Sequence, residues 1–261
     1  MSHTIFITGT DTGVGKTRIA RAMLNRLLDQ GYSAAGFKPL ASGAERTAEG
    51  LRNDDALVLQ AASSPGLEYG EVKPWCFEPA IAPHLAAREA GVEIGLAALD
   101  AAHRRLALRH ERVVVEGAGG WLVPLNAQHS FADWVGSQGW PVILVVAMRL
   151  GCINHALLSA EAIQRRTRLL GWVANLLPPL QERWRDNIDT LQARMPAPLL
   201  ATVPPGATAA EIAALPGWAA IDLPDPAEPE SRRSHWSAAP AGPIAAPEKD
   251  GGRFTPADTG P

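Results

Sequence analysis

An α/β fold is predicted from two observations, as a mostly parallel sheet with helices on both faces. Short, continuously apolar runs that read as buried strands alternate with longer segments of helical periodicity. The first of these runs passes straight into a glycine-rich loop that opens a helix. A chain of 261 residues, 46% hydrophobic and 20% charged, has the composition of a globular protein with a sizeable core, and one large domain over residues 1–223 accommodates the pattern.

Residues 4–8 (Thr-Ile-Phe-Ile-Thr) are rich in β-branched and aromatic types and stop at Gly9, which predicts a short buried strand. From Lys16 to Gln30 the apolar residues Ile19, Met23, Leu24, Leu27 and Leu28 recur at helical spacing, with Gly31 placed as a C-terminal cap. A second strand, Ala34 to Lys38, is halted by Pro39, and a third, Arg112 to Glu116, runs into Gly117-Ala118-Gly119-Gly120. Further strands are expected at Val142–Ala147, Gly171–Asn175 and Leu199–Val203, with helices at Gly95–Arg109, Cys152–Arg168 and Leu180–Met195. Right-handed crossovers then bring the C-terminal ends of the strands to one edge, where open α/β sheets bind ligands.

Composition excludes several classes. A net charge of −3 gives no overall positive field to hold nucleic acid or an anionic membrane. The longest apolar run, Pro141 to Met148, is far short of the ~20 residues that cross a bilayer. The first residues lack a basic segment and enter a strand pattern at once, so a cytoplasmic protein is expected. Cys76 and Cys152 are too few for a disulfide framework or a four-ligand metal site and read as free thiols. From Pro224 to Pro261 the apolar periodicity stops, and eight prolines, seven alanines and four glycines in 38 residues predict a disordered tail that cannot bury enough surface to offset its ordering entropy.

The most specific chemical signal is Gly9-Thr10-Asp11-Thr12-Gly13-Val14-Gly15-Lys16-Thr17, after a strand and before an amphipathic helix. That context identifies a P-loop and hence a single-domain P-loop NTPase fold. Backbone N–H groups and the positive end of the helix surround phosphates, a lysine reaches the β and γ phosphates, and a threonine hydroxyl meets Mg²⁺. Five residues separate Gly9 from Gly15-Lys16-Thr17, one more than the general consensus, so the loop is one residue long. Nucleoside triphosphate binding follows. Glu116, at the end of its apolar strand, is placed to hold the magnesium, the alternative being a solvated strand-end carboxylate.

The remaining loops suggest a substrate side. Lys38 and Ser42 follow the second strand and should flank the phosphate loop, where a second lysine would meet charge developing on a transferring phosphoryl group; a solvated lysine is the alternative. In Asn53-Asp54-Asp55 one carboxylate is expected to cap a helix and the other to complete the metal site. Gly151-Cys152-Ile153-Asn154 opens a helix whose free N–H groups suit a carboxylate, with ordinary capping by Asn154 as the alternative. Asn175 ends a strand, either as a side-chain amide facing an adenine edge or as a turn former.

Taken together, these residues resemble dethiobiotin synthetase, and most closely its enterobacterial type. The resemblance runs from about Thr4 to Pro205 and rests on the long phosphate loop, Lys38-Pro39 with Ala41-Ser42-Gly43, Leu51-Arg52-Asn53 with Asp55-Ala56-Leu57, and Val115-Glu116-Gly117-Ala118-Gly119-Gly120-Trp121. It continues through Phe131-Ala132-Asp133-Trp134-Val135, Leu150 to Ala156, and Gly171-Trp172-Val173-Ala174-Asn175. The resemblance implies ATP- and Mg²⁺-dependent ring closure of 7,8-diaminopelargonate with CO₂. One amine becomes a carbamate, the carbamate attacks the γ-phosphate, and the second amine displaces phosphate. It further implies that Lys16 and Lys38 stabilise phosphoryl and carbamate charge, that Thr17, Asp55 and Glu116 hold magnesium, and that Thr12 and Ser42 contact the diamine or its carbamate. Nucleotide contacts are implied for Gly13, Val14, Gly15, Lys16, Thr17, Arg18, Asp55, Glu116, Gly117, Ala118 and Gly119, with Asn175, Pro204, Pro205 and Gly206 beside adenine. A homodimer is implied in which Gly151, Cys152, Ile153 and Asn154 bind the substrate carboxylate of the neighbouring subunit. Some relatives carry an acidic residue where this chain has Gly13.

Two other classes share parts of this pattern. Partition and septum-site ATPases have a deviant P-loop, but with a lysine at the position of Asp11. Amidotransferase ligases of corrin synthesis need a further glutaminase domain, for which 261 residues leave no space.

Overall fold

The fold is a computed structural model that describes residues 3–220. The tail expected from Pro224 onward lies outside the described residues, as does the end of the domain at 223. In chain order the elements are β1 (His3–Gly9), α1 (Lys16–Asp29), β2 (Ala34–Phe37), β3 (Leu40–Ala41), β4 (Glu45–Thr47), β5 (Gly50–Arg52), α2 (Asp54–Ala61), α3 (Tyr69–Val72) and β6 (Trp75–Cys76). They continue with α4 (Pro83–Glu89), α5 (Leu96–Ala107), β7 (Arg112–Gly120), α6 (Phe131–Gln138), β8 (Val142–Ala147), α7 (Cys152–Gln164), β9 (Leu169–Asn175), α8 (Trp184–Arg194), β10 (Leu199–Val203) and α9 (Ala209–Ala213).

Six of the strands form one sheet in the order β10-β9-β8-β1-β7-β2, and every pairing in it is parallel. Strands β8 and β9 are buried at every position, which is why they carry no polar alternation in sequence. Ile5, Phe6, Ile7, Val113, Val114, Val115 and Trp134 are fully buried and fill the core between sheet and helices. The chain reverses its direction of winding beside β1, and the segments that follow β1, β2 and β7 meet around one cavity.

Most predicted elements are present, with shifted ends. The helix expected over Cys152–Arg168 stops at Gln164, and that over Leu180–Met195 begins only at Trp184. The third strand does not end at Glu116. It runs on to Gly120, because β1 beside it continues to Gly9 and the pairing resumes at Gly9–Gly120 after an irregularity. Gly117 lacks a side chain for a packing reason, since a Cβ there would lie 2.8 Å from the ring of Phe6. Two small paired elements, β3 with β6 and β4 with β5, were not expected from the sequence; both consist of strands too short to show a period.

Candidate active site

The phosphate loop leaves β1 at Gly9 and enters α1 at Lys16, with Gly15 in the left-handed region at φ 94° as the N-cap. That conformation needs glycine for a second reason: a Cβ on Gly15 would come within 2.2 Å of Asn175 Nδ2. No side chain caps α1, so its first N–H groups remain available to an anion. Lys16 curls back across the loop, its Nζ donating to the backbone carbonyl of Asp11 at 2.9 Å, and is 7% exposed. Burial and the neighbouring Lys38 charge lower its pKa to about 8.

Lys38 stands just past the end of β2 and is buried. Its Nζ lies 2.6 Å from Glu116 Oε1 on β7 and 3.0 Å from Asp55 Oδ2 on α2. Burial alone would push this ammonium down, but the two carboxylates outweigh it and hold the pKa above its ordinary value. Asp55 likewise is pushed up by burial yet ends below the usual carboxylate range, mainly through the Lys38 charge. The Thr17 hydroxyl, one residue along α1 from Lys16, donates to the same Glu116 Oε1 at 2.8 Å. Five side chains, from α1, α2, β7 and the segment after β2, thus meet in one charge cluster, with Lys38 and Glu116 buried and Asp55 half exposed at its edge.

A cavity of about 780 Å³ opens over this cluster, lined by Thr12, Gly13, Gly15, Lys16, Thr17, Arg18, Lys38, Ser42, Asp55, Glu116, Ala118 and Gly119 among the predicted residues. Ala80, Ile81, Ala82, Pro83, Val123 and Pro124 also line it and were missed, because nothing but the tertiary fold carries the loops before α4 and after β7 to this place. Val14 and Gly117 are buried and do not line it. Pro204, Pro205 and Gly206 line a separate hollow of about 440 Å³ with Ala207, Glu211, Ile212 and Leu215.

The geometry corrects the expectation for the cap of α2 and removes the alternative reading of Asn154. The cap of α2 is Asn53, whose Oδ1 accepts from the Ala56 N–H, and not one of the two aspartates. Asn154 does not cap α7, which starts from Gly151 at φ 90° without a side-chain bond. The Asn175 amide is engaged within the protein: it is 0% exposed, donates to the Val14 carbonyl at 2.8 Å and accepts from Arg18 at 3.1 Å. Gly151–Asn154 lie after the C-terminal end of β8 but outside the large cavity.

Among the described residues no group of three or more His, Cys, Asp or Glu side chains could hold a metal ion by itself. What the cluster supplies is a hydroxyl and two carboxylates, all hard oxygen donors, and Glu116 Oε2 is buried without any hydrogen-bond partner. That orphaned oxygen and this chemistry fit Mg²⁺ held partly by protein and partly by phosphate oxygens.

Comparison with known proteins gives a family match and close relatives. A family described as an AAA domain matches residues 3–211. An ATP-dependent dethiobiotin synthetase of Pseudomonas paraeruginosa is 55% identical over 201 residues, covering 76% of this chain and 88% of the relative. One from Yersinia pestis is 49% identical over 205 residues, covering 78% and 85%. The chain belongs to the dethiobiotin synthetase family. As a dethiobiotin synthetase it is an ATP-dependent ligase on a P-loop fold, and its partners include small-molecule substrates, ATP among them. Among the described residues of this synthetase no helix is long and apolar enough to cross a membrane. Looser structural likeness extends to the septum site-determining protein MinD from Pyrococcus horikoshii, at TM-score 0.49 and 14% identity over 82% of this chain and 93% of that one.

Proposed function

We propose that this protein closes the ureido ring of dethiobiotin from 7,8-diaminopelargonate, CO₂ and ATP, releasing ADP and phosphate, and that it works as a cytoplasmic homodimer requiring Mg²⁺. The observation that carries the reading is the meeting of Lys16, Lys38, Thr17, Asp55 and Glu116 under one cavity, with Thr12 and Ser42 on its wall.

The triphosphate lies along the phosphate loop, where the N–H groups of Gly13 to Thr17 at the α1 N-terminus donate to its oxygens. Lys16 leaves the Asp11 carbonyl to meet the β and γ phosphates. Thr17, Asp55 and Glu116 would hold Mg²⁺, which supplies charge neutralisation on the transferring phosphoryl group when bound. One amine of the diamine takes up CO₂ as a carbamate beside Thr12 and Ser42. A carbamate oxygen then attacks the γ-phosphorus, the bond to the ADP oxygen breaks, and a carbamic-phosphoric anhydride forms. Lys38 sits fixed between its carboxylates, so its charge needs no reorganisation as negative charge gathers on the equatorial oxygens. The second amine attacks the anhydride carbon, phosphate leaves and a proton is lost.

The nucleoside half of ATP is assigned to the side of the site bounded by Asn175, Pro204, Pro205 and Gly206, with Ala118 and Gly119 along the phosphates. The substrate carboxylate is assigned to the α7 N-terminus of the neighbouring subunit, at Gly151, Cys152, Ile153 and Asn154. The uncapped start of α7, with the exposed Leu150 just before it, supports that assignment.

Mass-spectrometric detection of dethiobiotin from purified protein, ATP, Mg²⁺, bicarbonate and the diamine tests the reaction. Product that appears without bicarbonate, or phosphate release independent of the diamine, would reject it.

A further inference from the structure

Arg18 follows directly on the Gly-Lys-Thr of the phosphate loop and lines the same cavity, yet its guanidinium is bonded to other elements than the charge cluster. Its guanidinium donates through Nη1 to Asn175 Oδ1 at 3.1 Å, and through Nη2 to the carbonyls of Pro204 and Ala207, each at 2.8 Å. A single planar fork thus joins three places: the first turn of α1, the end of β9 and both ends of the Pro204–Ala207 turn. The turn itself is held by few bonds of its own. Its Gly206 is at φ 75°, and its one internal backbone bond, Ala207 N–H to Pro204 O, is long at 3.4 Å.

The bond to Asn175 has a second effect. With Oδ1 taken by Arg18, the amide must aim Nδ2 at the Val14 carbonyl, which it does at 2.8 Å. The phosphate loop, the end of β9 and the turn after β10 are therefore tied through one residue. Only arginine carries enough donors in a fixed plane to do this, since a lysine ammonium is a point charge on a flexible stem.

We propose that Arg18 is a positioning residue for the nucleoside half of the nucleotide: it sets the Pro204–Ala207 wall at a fixed distance from the phosphate loop, so that base, ribose and phosphates engage together. The inference rests on the reading above that the base lies against this wall. Arg18 contributes geometry and not phosphate attraction, and this distinguishes it from Lys16 and Lys38.

The test compares binding of ATP and of inorganic tripolyphosphate, which carries the phosphates without a nucleoside, to the full chain by calorimetry. Arg18→Met is expected to weaken ATP roughly tenfold, as the loss of a charge-assisted fork implies, while tripolyphosphate changes by less than about twofold. Arg18→Lys keeps the charge and is expected to lose nearly as much ATP affinity. In turnover the KM for ATP rises while kcat stays within about twofold. Equal weakening of both ligands, full rescue by lysine, or no change in ATP binding would each overturn the proposal. Should the methionine variant fail to melt cooperatively, the lysine variant is read by the same ratio. Failure of the unaltered chain to form dethiobiotin would sink the reaction assignment and leave this ratio measurable.

Discussion

The ammonium of Lys38 lies 2.6 Å from Glu116 Oε1, and both side chains are almost wholly withdrawn from water. An ion pair in such a place owes its survival to mutual neutralisation, with Asp55 and Thr17 completing the set. Lys38→Ala should therefore do two separable things. It should lower kcat by roughly two to three orders of magnitude while moving the KM for ATP little, because the charge it meets develops in the phosphoryl-transfer step. It should also lose about 3–5 kcal/mol of stability by stranding Glu116. Adding Glu116→Gln to Lys38→Ala should restore much of the melting temperature and none of the turnover. Unchanged kcat in the single variant, or no thermal recovery in the double, would contradict this account.

Lys16 gives a pH signature. Its pKa in the free protein is lowered to about 8, so below that pH it is a cation and above it a neutral amine. A triphosphate favours the cation, and binding must therefore take up a proton between pH 8 and the raised pKa of the complex. ATP affinity without added metal should weaken by roughly tenfold or more from pH 7.5 to 9.5. Calorimetry in two buffers of different ionisation enthalpy should register net proton uptake near pH 8.5. In Lys16→Met binding is weaker throughout, and both the slope and the uptake should vanish.

The two glycines of the loop should respond unequally to alanine. Gly13 and Gly15 both have positive φ, at 72° and 94°, so either substitution carries backbone strain of about 1–2 kcal/mol. A Cβ on Gly13 meets nothing within 4 Å, whereas one on Gly15 collides with Asn175 Nδ2 at 2.2 Å. Gly13→Ala should keep measurable nucleotide binding. Gly15→Ala should lose it, since Asn175 is tied on its far side to Arg18 and has nowhere to move. Similar ATP dissociation constants for the two variants would refute the difference.

How much of this was readable from sequence depends on whether a feature is local. Strands β8 and β9 and helix α1 were legible because continuous burial and helical periodicity are written in consecutive residues. The phosphate loop was legible because its glycines answer local backbone demands. Lys38, Asp55 and Glu116 could be suspected separately as residues at element ends, but their mutual pairing is a product of three elements meeting. Glu116 was misplaced at a strand end because Gly117 to Gly120 reads as a turn; the parallel partner β1 overrides that propensity. For Arg18 a nucleotide contact is implied by the resemblance alone, and Asn175 reads from sequence as either an adenine contact or a turn former. Only the fold shows them bonded to each other. Lys73 carried no motif at all.

Lys73 follows α3, is 3% exposed, and its Nζ has no hydrogen-bond partner. Burial, only partly offset by Cys76, lowers its pKa to about 7. In the unfolded chain the amine holds its proton to its ordinary value near 10.5. Between these two values the unfolded state binds more protons, so this group makes stability rise as pH increases from 7 towards 10.5. Below pH 7 the folded state must either protonate a buried amine or do without it, and the full penalty, a few kcal/mol by the size of the shift, applies there. Lys73→Met replaces the amine by an apolar chain of similar length and should raise the melting temperature by several degrees at pH 6.5, with the gain shrinking steadily towards pH 10. Because Lys73 does not line the cavity, kcat should change by less than about twofold, the scale expected for a residue that supplies no transition-state contact. A melting temperature that falls at pH 6.5, or a gain that grows with pH, would mean that the amine is charged and paired in the folded protein.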